Sequence, residues 1–330
     1  MASNFLAELG KQLADRWLTL LVLPGALYVA TLTVGHALGH RHPFDVGRLT
    51  DGIHDLATSP QTSTGGGLAV ILLAALLAAS AAGFVAQGLG GGIERLWFAA
   101  DWIAWPPPLR HLAAWRTRKR QKRWADAERT RERLRVEAAR AYAVPADRER
   151  PDAAANAAAA LETARQSVRR IAAERPARPT WIGDRVHGVT VKLDRAYALD
   201  FATAWPHLWL TVPDVTRSEL TAVRVALTRA TVLVGWGLLY LMAAAVWWPA
   251  GLVGVGVMAT GRRRAWHLAD TYATLLEAAT RLYAGDLARQ LGLDNEGPLN
   301  SGMGWAITCA LQGREELIRL AALPPPGSTS

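Results

Sequence analysis

Residues 230–261 read ATVLVGWGLLYLMAAAVWWPAGLVGVGVMATG, thirty-two positions without a formal charge. Two arginines precede this run, and Arg262, Arg263 and Arg264 close it. As one straight helix the run would be roughly 48 Å long, because a helix rises about 1.5 Å per residue. The hydrocarbon core of a bilayer is only about 30 Å thick, so the run fits badly as a single span.

The middle of this run has the residues that a turn at a membrane surface uses. Trp247 and Trp248 are aromatic residues of the kind found at interfaces, and Pro249 interrupts a helix. We therefore predict a tight membrane hairpin that turns at these three residues. Its first arm belongs to a stem helix and third span over residues 216–247, and its second is a short fourth span over residues 248–261.

Composition separates this chain from an ordinary soluble protein. Of its 330 residues 51% are hydrophobic, yet 20% are charged, and the two groups are segregated along the chain. This pattern predicts several spans plus a substantial polar domain. The net charge of +9 is explained by the positive-inside rule, which makes an anionic lipid bilayer the expected partner and nucleic acid an unlikely one. The single cysteine, Cys309, excludes an intramolecular disulfide.

The first part of the chain reads as a membrane hairpin. We predict an interfacial amphipathic helix over residues 1–16, a first span over residues 17–39, an extracytoplasmic loop over residues 40–66 and a second span over residues 67–92. Ala79 and Gly83 give the second span a small-residue face that favours close helix packing. We assign the same packing role to Gly251 and Gly254 in the fourth span.

Residues 93–175 are rich in Arg, Glu and Ala and predict a basic helical hairpin, broken near residues 144–151. Its basic residues nearest the membrane, like the three arginines after the fourth span, are predicted to contact lipid. The lipid-contacting residues are Arg116, Arg118, Lys119, Arg120, Lys122, Arg123, Arg262, Arg263 and Arg264.

The rest of the chain predicts further helices around one irregular segment. Residues 176–213, with four prolines and several aromatic residues, are interpreted as an irregular module. Thr216 and Glu219 have the spacing of a capping box at a helix start. Cytoplasmic helices follow over residues 262–323. The first is an amphipathic helix that ends at Gly292 and whose apolar side is expected to bind a partner, and a last helix covers residues 304–323. A disordered tail over residues 324–330 ends the chain.

The predicted fold is an all-α integral membrane protein, with four transmembrane helices in two hairpins and a cytoplasmic α-helical domain that contains a helical hairpin. Four spans place both basic regions on one side of the membrane, whereas three would place the triple arginine outside. We therefore expect a multi-pass protein of the bacterial cytoplasmic (inner) membrane with both termini in the cytoplasm.

Several short motifs occur together in this chain. They are Leu23-Pro24-Gly25, Glu94-x-x-Trp97, Pro179-Thr180-x-x-Gly183, Trp205-Pro206-x-Leu208-Trp209-x-x-x-Pro213 and a helical pattern over residues 272–293. In these motifs the chain resembles an uncharacterised family of bacterial multi-pass membrane proteins. The resemblance implies four spans and a shared cytoplasmic module, and it implies no known activity.

Metal binding has one candidate region. His36, His40, His42 and His54 fall within nineteen residues at the outer end of the first span, and the first two are one helical turn apart. Imidazole groups in this arrangement are suited to zinc. The alternative, which we favour, is that they are ordinary interfacial histidines, so no metal or other cofactor is predicted.

No catalytic signature is evident. The polar residues of the third quarter of the chain could be assembled into an acid–base site, but no nucleophile motif or ligand spacing fixes their geometry. They are Asp184, Asp194, Asp200, Asp214, His187 and His207.

We therefore expect a non-enzymatic membrane anchor or scaffold. It would present its cytoplasmic helices for self-assembly or for recruitment of a protein partner. The alternative is an oligomeric pore or membrane-disrupting effector, because small-residue faces allow helices of different copies to associate closely.

Overall fold

The computed structural model describes residues 22–45, 47–48, 50–51, 54, 65–143, 152–293 and 297–321. The described residues are 85% helical and contain no strand. The fold is therefore all-helical, as predicted. The predictions for residues 1–16, the start of the first span, most of the 40–66 loop, the break at residues 144–151 and the 324–330 tail lie outside the described residues.

Ten α-helices have defined bounds among the described residues. In chain order they are α1 (Leu23–Leu38), α2 (Gly65–Phe98), α3 (Pro107–Ala143), α4 (Ala153–Ile171), α5 (Trp181–Tyr197), α6 (Phe201–Thr211), α7 (Asp214–Ala243), α8 (Trp248–Gln290), α9 (Ser301–Leu311) and α10 (Glu315–Ala321). A 3-10 helix, Trp102–Ala104, lies between α2 and α3.

The chain divides into two compact units. Unit 1 comprises Met1–Glu94 and Ala226–Ala265, and unit 2 comprises Arg95–Val225 and Trp266–Ser330. Each unit therefore combines two segments that are distant in the sequence.

Unit 1 is held together by close approach of helix backbones at small residues. A Cβ atom on Gly235 of α7 would lie 2.5 Å from the Ala86 carbonyl of α2, and one on Gly254 of α8 would lie 2.8 Å from the Gly237 carbonyl of α7. Gly25 of α1 likewise abuts the backbone of α2. Because a side chain cannot fit at such contacts, the glycines determine which helices of unit 1 are neighbours.

The connection between α7 and α8 lies slightly before the predicted turn at Trp247, Trp248 and Pro249, because Trp248 and Pro249 already belong to α8. Helix α7 ends at Ala243, a short turn follows, and α8 begins at Trp248. The Trp247 indole Nε1 donates to the Pro43 carbonyl at 3.1 Å, and the Trp248 ring meets Phe44 edge-on, with centroids 5.9 Å apart. This turn is thus bonded to the residues that follow α1.

Several predicted helix boundaries differ from the structure. Helix α2 extends beyond the predicted 67–92, and α7 ends at Ala243 rather than at residue 247. The Pro213 carbonyl accepts the first helical bond of α7 from the Arg217 N–H at 3.0 Å, so α7 begins two residues before the predicted Thr216 cap. The Thr216 hydroxyl instead lies 3.4 Å from the Tyr283 hydroxyl. The predicted fourth span is also not a separate helix, because α8 continues through the arginines to Gln290.

The segment interpreted as irregular, residues 176–213, is mostly two regular helices. Thr180 caps α5 by accepting from the Gly183 N–H at 3.1 Å, and Asp200 caps α6 by accepting from the Ala202 N–H at 3.1 Å. Ala198, with φ of 49°, closes α5. The interpretation was wrong because these caps start regular helices despite the neighbouring prolines. Within α5 and α6, only Pro206 stands inside a helix.

Unit 2 has a core of large aliphatic side chains. One cluster contains Leu208 from α6, Leu287 from α8 and Ile307 from α9, and a second contains Leu193 from α5 and Leu276 from α8. The apolar side of α8, which we predicted to bind a partner, is therefore largely covered by helices of its own unit. The exception is Leu282, which is exposed.

The C-terminal helices end at glycines in the left-handed region. The predicted stop at Gly292 is confirmed, since α8 ends at Gln290 and Gly292 has φ of 71°. The predicted last helix is two helices, because Gly313 has φ of 67° and the Arg314 N–H turns back to the Cys309 carbonyl at 2.8 Å.

Candidate functional site

A buried carboxylate organises the segment between α4 and α5. Asp184 Oδ1 accepts from the backbone N–H groups of Ala177 and Arg178, at 2.8 and 2.7 Å. Its Oδ2 accepts from the Arg120 guanidinium of α3 at 2.8 Å, and the same guanidinium donates to the Ile171 carbonyl at 2.9 Å. We call these five residues the Asp184 clamp, and they tie α3, the end of α4 and the start of α5 together.

Two of the sequence motifs meet beside this clamp. The Thr180 hydroxyl donates to the Trp97 carbonyl, and Arg178 Nη1 donates to the Phe98 carbonyl at 2.8 Å. A Cβ atom on Gly183 would lie 2.6 Å from the same Phe98 carbonyl. The threonine and glycine of the P-T-x-x-G motif are therefore needed to seat α5 on the end of α2.

The electrostatics of the clamp are those of a structural ion. Burial raises the pKa of Asp184, and the Arg178 N–H and the charge of Arg120 oppose that rise. Burial also lowers the pKa of His187. Every oxygen of the Asp184 carboxylate already has a protein donor, so the geometry fits a fixed anion better than a proton-transfer group.

Arg120 is a correction to the predicted lipid-contacting set. Its side chain is only 20% exposed and pairs with Asp184, whose side chain is 5% exposed. Helical periodicity explains the difference, because Arg120 shares the buried face of α3 with Ala113 and Thr117. The other basic residues of that cluster are exposed, namely Arg116, Arg118, Lys119, Lys122 and Arg123. Arg262, Arg263 and Arg264 of α8 are also exposed.

The predicted packing residues lie at contacts within unit 1. Ala79, Gly83 and Gly254 are buried, and a Cβ atom on Gly251 would lie 3.0 Å from the Ala244 side chain. Ala79 is the residue of α2 that Gly25 abuts. Most of the small residues that motivated the pore alternative therefore pack within the same chain, whereas Gly256 stays exposed with nothing within 4 Å of a Cβ atom.

The residues considered for acid–base chemistry have separate local roles. Asp184 belongs to the clamp, Asp200 caps α6, and Asp214 pairs with Arg217 one turn along α7. The Thr203 hydroxyl, at 2.6 Å, lowers the pKa of Asp200 by donating to its carboxylate.

The histidine candidates for a metal site are not gathered by the described structure. His36 lies in the last turn of α1, and His40 and His42 follow in the turn after it. Within the described ranges, no three His, Cys, Asp or Glu side chains form a group that could hold a metal ion. Several neighbours of His54 in the sequence lie outside those ranges.

No family model, curated protein or solved structure matches the chain. The resemblance drawn from the motifs therefore stays a prediction.

Proposed function

We propose that this protein is a membrane anchor that displays a water-facing helical unit for assembly. One observation carries the proposal: α2 exposes its large apolar side chains and buries its small ones. Its buried residues include Ala79, Ser80 and Ala86, whereas Leu72 and Leu77 are exposed, Leu77 by 62%. Only 17% of its most apolar stretch is buried.

This distribution is unfavourable in water and suits lipid. Exposed apolar surface costs about 25 cal/mol per Å² in water, and a core helix of a soluble protein would bury these leucines. In lipid, helices associate through close packing of small residues, which is the packing seen in unit 1. The Ser80 hydroxyl donates to the Leu76 carbonyl at 2.7 Å, so it needs no water.

This proposal has more membrane spans than helix length and composition alone support. Two helices, α2 and α7, are long and apolar enough to cross a bilayer. We assign two more spans to α1 and to the first part of α8, because both pack within unit 1 through glycines. Unit 2 and both termini would then face the cytoplasm of a bacterial inner membrane, on the side of Arg95 and of the triple arginine after Gly261.

The displayed unit is proposed to act by assembly, with a second copy or a protein partner. Because the core of unit 2 covers most of the apolar side of α8, we assign the contact surface to the hairpin of α3 and α4. These helices pack on each other through small residues such as Ala138 and Ala164, and their outer faces stay exposed. Nothing in the described packing favours the pore alternative.

Single-cysteine labelling tests this arrangement. In a Cys309→Ala background, Ala245→Cys marks the turn between α7 and α8, and Ala139→Cys marks α3; both positions are exposed. In intact cells a membrane-impermeant maleimide should label the Ala245→Cys chain, and it should label the Ala139→Cys chain only after permeabilisation. Alkaline extraction should leave both chains in the membrane pellet.

The controls separate anchoring from assembly. The natural Cys309 is buried, so the unsubstituted chain should react only after denaturation. Labelling of both engineered positions from the same side would overturn the four-span arrangement. For assembly, a bis-maleimide should cross-link two Ala139→Cys chains; a chain that stays monomeric and binds no host protein would contradict the displayed-unit proposal.

A further inference from the structure

The two halves of α3 differ in how their cations are neutralised. In the distal half, Arg129, Arg131 and Arg135 each pair with a carboxylate one turn earlier in the helix. In the proximal half, residues 107–125 contain no acidic residue. Apart from Arg120, no cation of this half has a carboxylate within salt-bridge distance among the described residues. The charge of the proximal half is therefore open to an external anion.

These cations share one face with exposed apolar side chains. The face, which we call the basic–aromatic stripe, consists of Leu112, Trp115, Arg116, Lys119, Lys122 and Arg123. The steps of three and four residues place them on one side of the helix. Lys119 Nζ lies 5.2 Å from the centre of the Trp115 ring, and that tryptophan is 54% exposed.

The opposite face of the same turns is occupied by the protein. Ala113 and Thr117 are buried, Arg120 belongs to the Asp184 clamp, and Trp124 Nε1 donates to the Ala172 carbonyl at 3.3 Å. Trp124 is therefore part of the packed face of α3 and does not belong to the stripe. The stripe is held outward because the clamp fixes the rotation of α3.

We infer that the basic–aromatic stripe binds the phosphate headgroups of anionic phospholipids, with α3 lying in the plane of the bilayer surface. An in-plane helix places its leucine and tryptophan at the acyl boundary and its cations among the headgroups. The stripe is about 17 Å long, which matches a few neighbouring headgroups. Nucleic acid would use the cations but would leave Leu112 in water, so lipid is favoured. This inference rests on the proposed membrane anchor.

The test uses the full chain in nanodiscs of phosphatidylcholine, with or without about 30% phosphatidylglycerol. An environment-sensitive fluorophore is attached at Leu112→Cys in the Cys309→Ala background, and Ala139→Cys on the same helix is the control. Anionic lipid should shift the emission of the Leu112 label to the blue and leave the Ala139 label unchanged. A water-like Leu112 label in both kinds of nanodisc would overturn the inference.

A second experiment removes positive charges from the stripe. The stripe variant is Lys119→Gln/Lys122→Gln/Arg123→Gln, and the matched variant is Arg129→Gln/Arg133→Gln/Arg135→Gln. The stripe variant should need at least about threefold more anionic lipid for half of the shift, since each surface cation contributes to lipid attraction. The matched variant should behave like the parent. Equal behaviour of the two triple variants would contradict the inference.

Two further outcomes are informative. An emission shift caused by a single-stranded RNA oligomer, and not by anionic lipid, would overturn the inference and assign the stripe to nucleic acid. Co-elution with nanodiscs reports the anchor independently. A chain that enters nanodiscs and shows no lipid effect at Leu112 overturns only the lipid stripe, whereas a chain that does not enter them overturns both proposals.

Discussion

The two units of this chain differ in where the large apolar side chains of their helices lie. In unit 1, helix α2 buries small residues and turns leucine outward, as Ala79 and Leu77 illustrate, while Trp236 and Leu239 of α7 are buried against Ala86. Unit 2 buries leucine and isoleucine, as Leu208 and Ile307 illustrate. Unit 2 thus has the distribution produced by the hydrophobic effect, whereas α2 of unit 1 has the distribution expected where the solvent is lipid and close packing drives association.

The largest difference is expected when an arginine replaces one exposed leucine in each unit. Leu77→Arg should destabilise the membrane-inserted chain by about 3 kcal/mol, because arginine is costly at the middle of a bilayer. Leu210→Arg in unit 2 should change stability by less than about 0.5 kcal/mol, because Leu210 is 75% exposed and unit 2 is proposed to face water. The fraction of each chain recovered from membranes, with its unfolding midpoint in mild detergent, measures the difference. Equal tolerance of both substitutions would mean that α2 is not in lipid.

A smaller effect is expected at the Asp184 clamp, where unit 2 buries a charge. Arg120→Gln should cost about 2 kcal/mol near pH 8, because it leaves the buried carboxylate with only its backbone donors. Burial already raises the pKa of Asp184, and removing the arginine should raise that pKa further.

The sign of the pH dependence follows from this raised pKa. The folded variant binds the proton more tightly than the unfolded chain does, so its stability falls as the pH rises through that pKa. The deficit of Arg120→Gln relative to the parent should therefore shrink between about pH 8 and pH 5 in thermal unfolding. Arg123→Gln, on the exposed face, should show no deficit, and Arg120→Gln/Asp184→Asn should lose the pH dependence. A deficit that does not change with pH would show that the ion pair is not its cause.

The smallest effect is expected from a single methyl group at two nearby glycines of α8. Gly254→Ala should destabilise unit 1 by about 1 kcal/mol, because its Cβ atom would meet the backbone of α7 at 2.8 Å. Gly256→Ala meets nothing within 4 Å and should be neutral or slightly stabilising, because alanine favours a helix over glycine. Unfolding of both variants in detergent gives the comparison. The same sign of change for both would mean that the α7–α8 contact does not depend on its small residues.

Much of the fold could be predicted because its signals are local. The charge-free run from residue 230 and the two tryptophans predicted a turn between α7 and α8, although it lies at residues 244–247, just before Trp248 and Pro249 begin α8. Gly292 predicted the end of α8. The caps Thr180 and Asp200 were present in the sequence as well, but the prolines around them drew the interpretation toward an irregular segment. A threonine or aspartate cap stabilises a helix start, and a proline outside the helix does not prevent it.

The candidate site could be predicted less well from the sequence, because its contacts join residues far apart in the chain. Six basic residues between Arg116 and Arg123 look equivalent by composition, yet Arg120 alone reaches Asp184, sixty-four positions later. Periodicity places Arg120 on a different face of α3 from Lys119, but it does not say which face the protein covers.

By itself, the sequence determined that this chain is helical and that its apolar and charged stretches are separated, because periodicity, caps and charge act over a few residues. Only the tertiary structure decided which helices share each unit and which glycines meet a neighbouring backbone. It also decided that one arginine of the basic cluster serves the fold while its neighbours stay exposed. Those choices depend on the complementary shapes and charges of surfaces brought together by folding, and no local pattern records them.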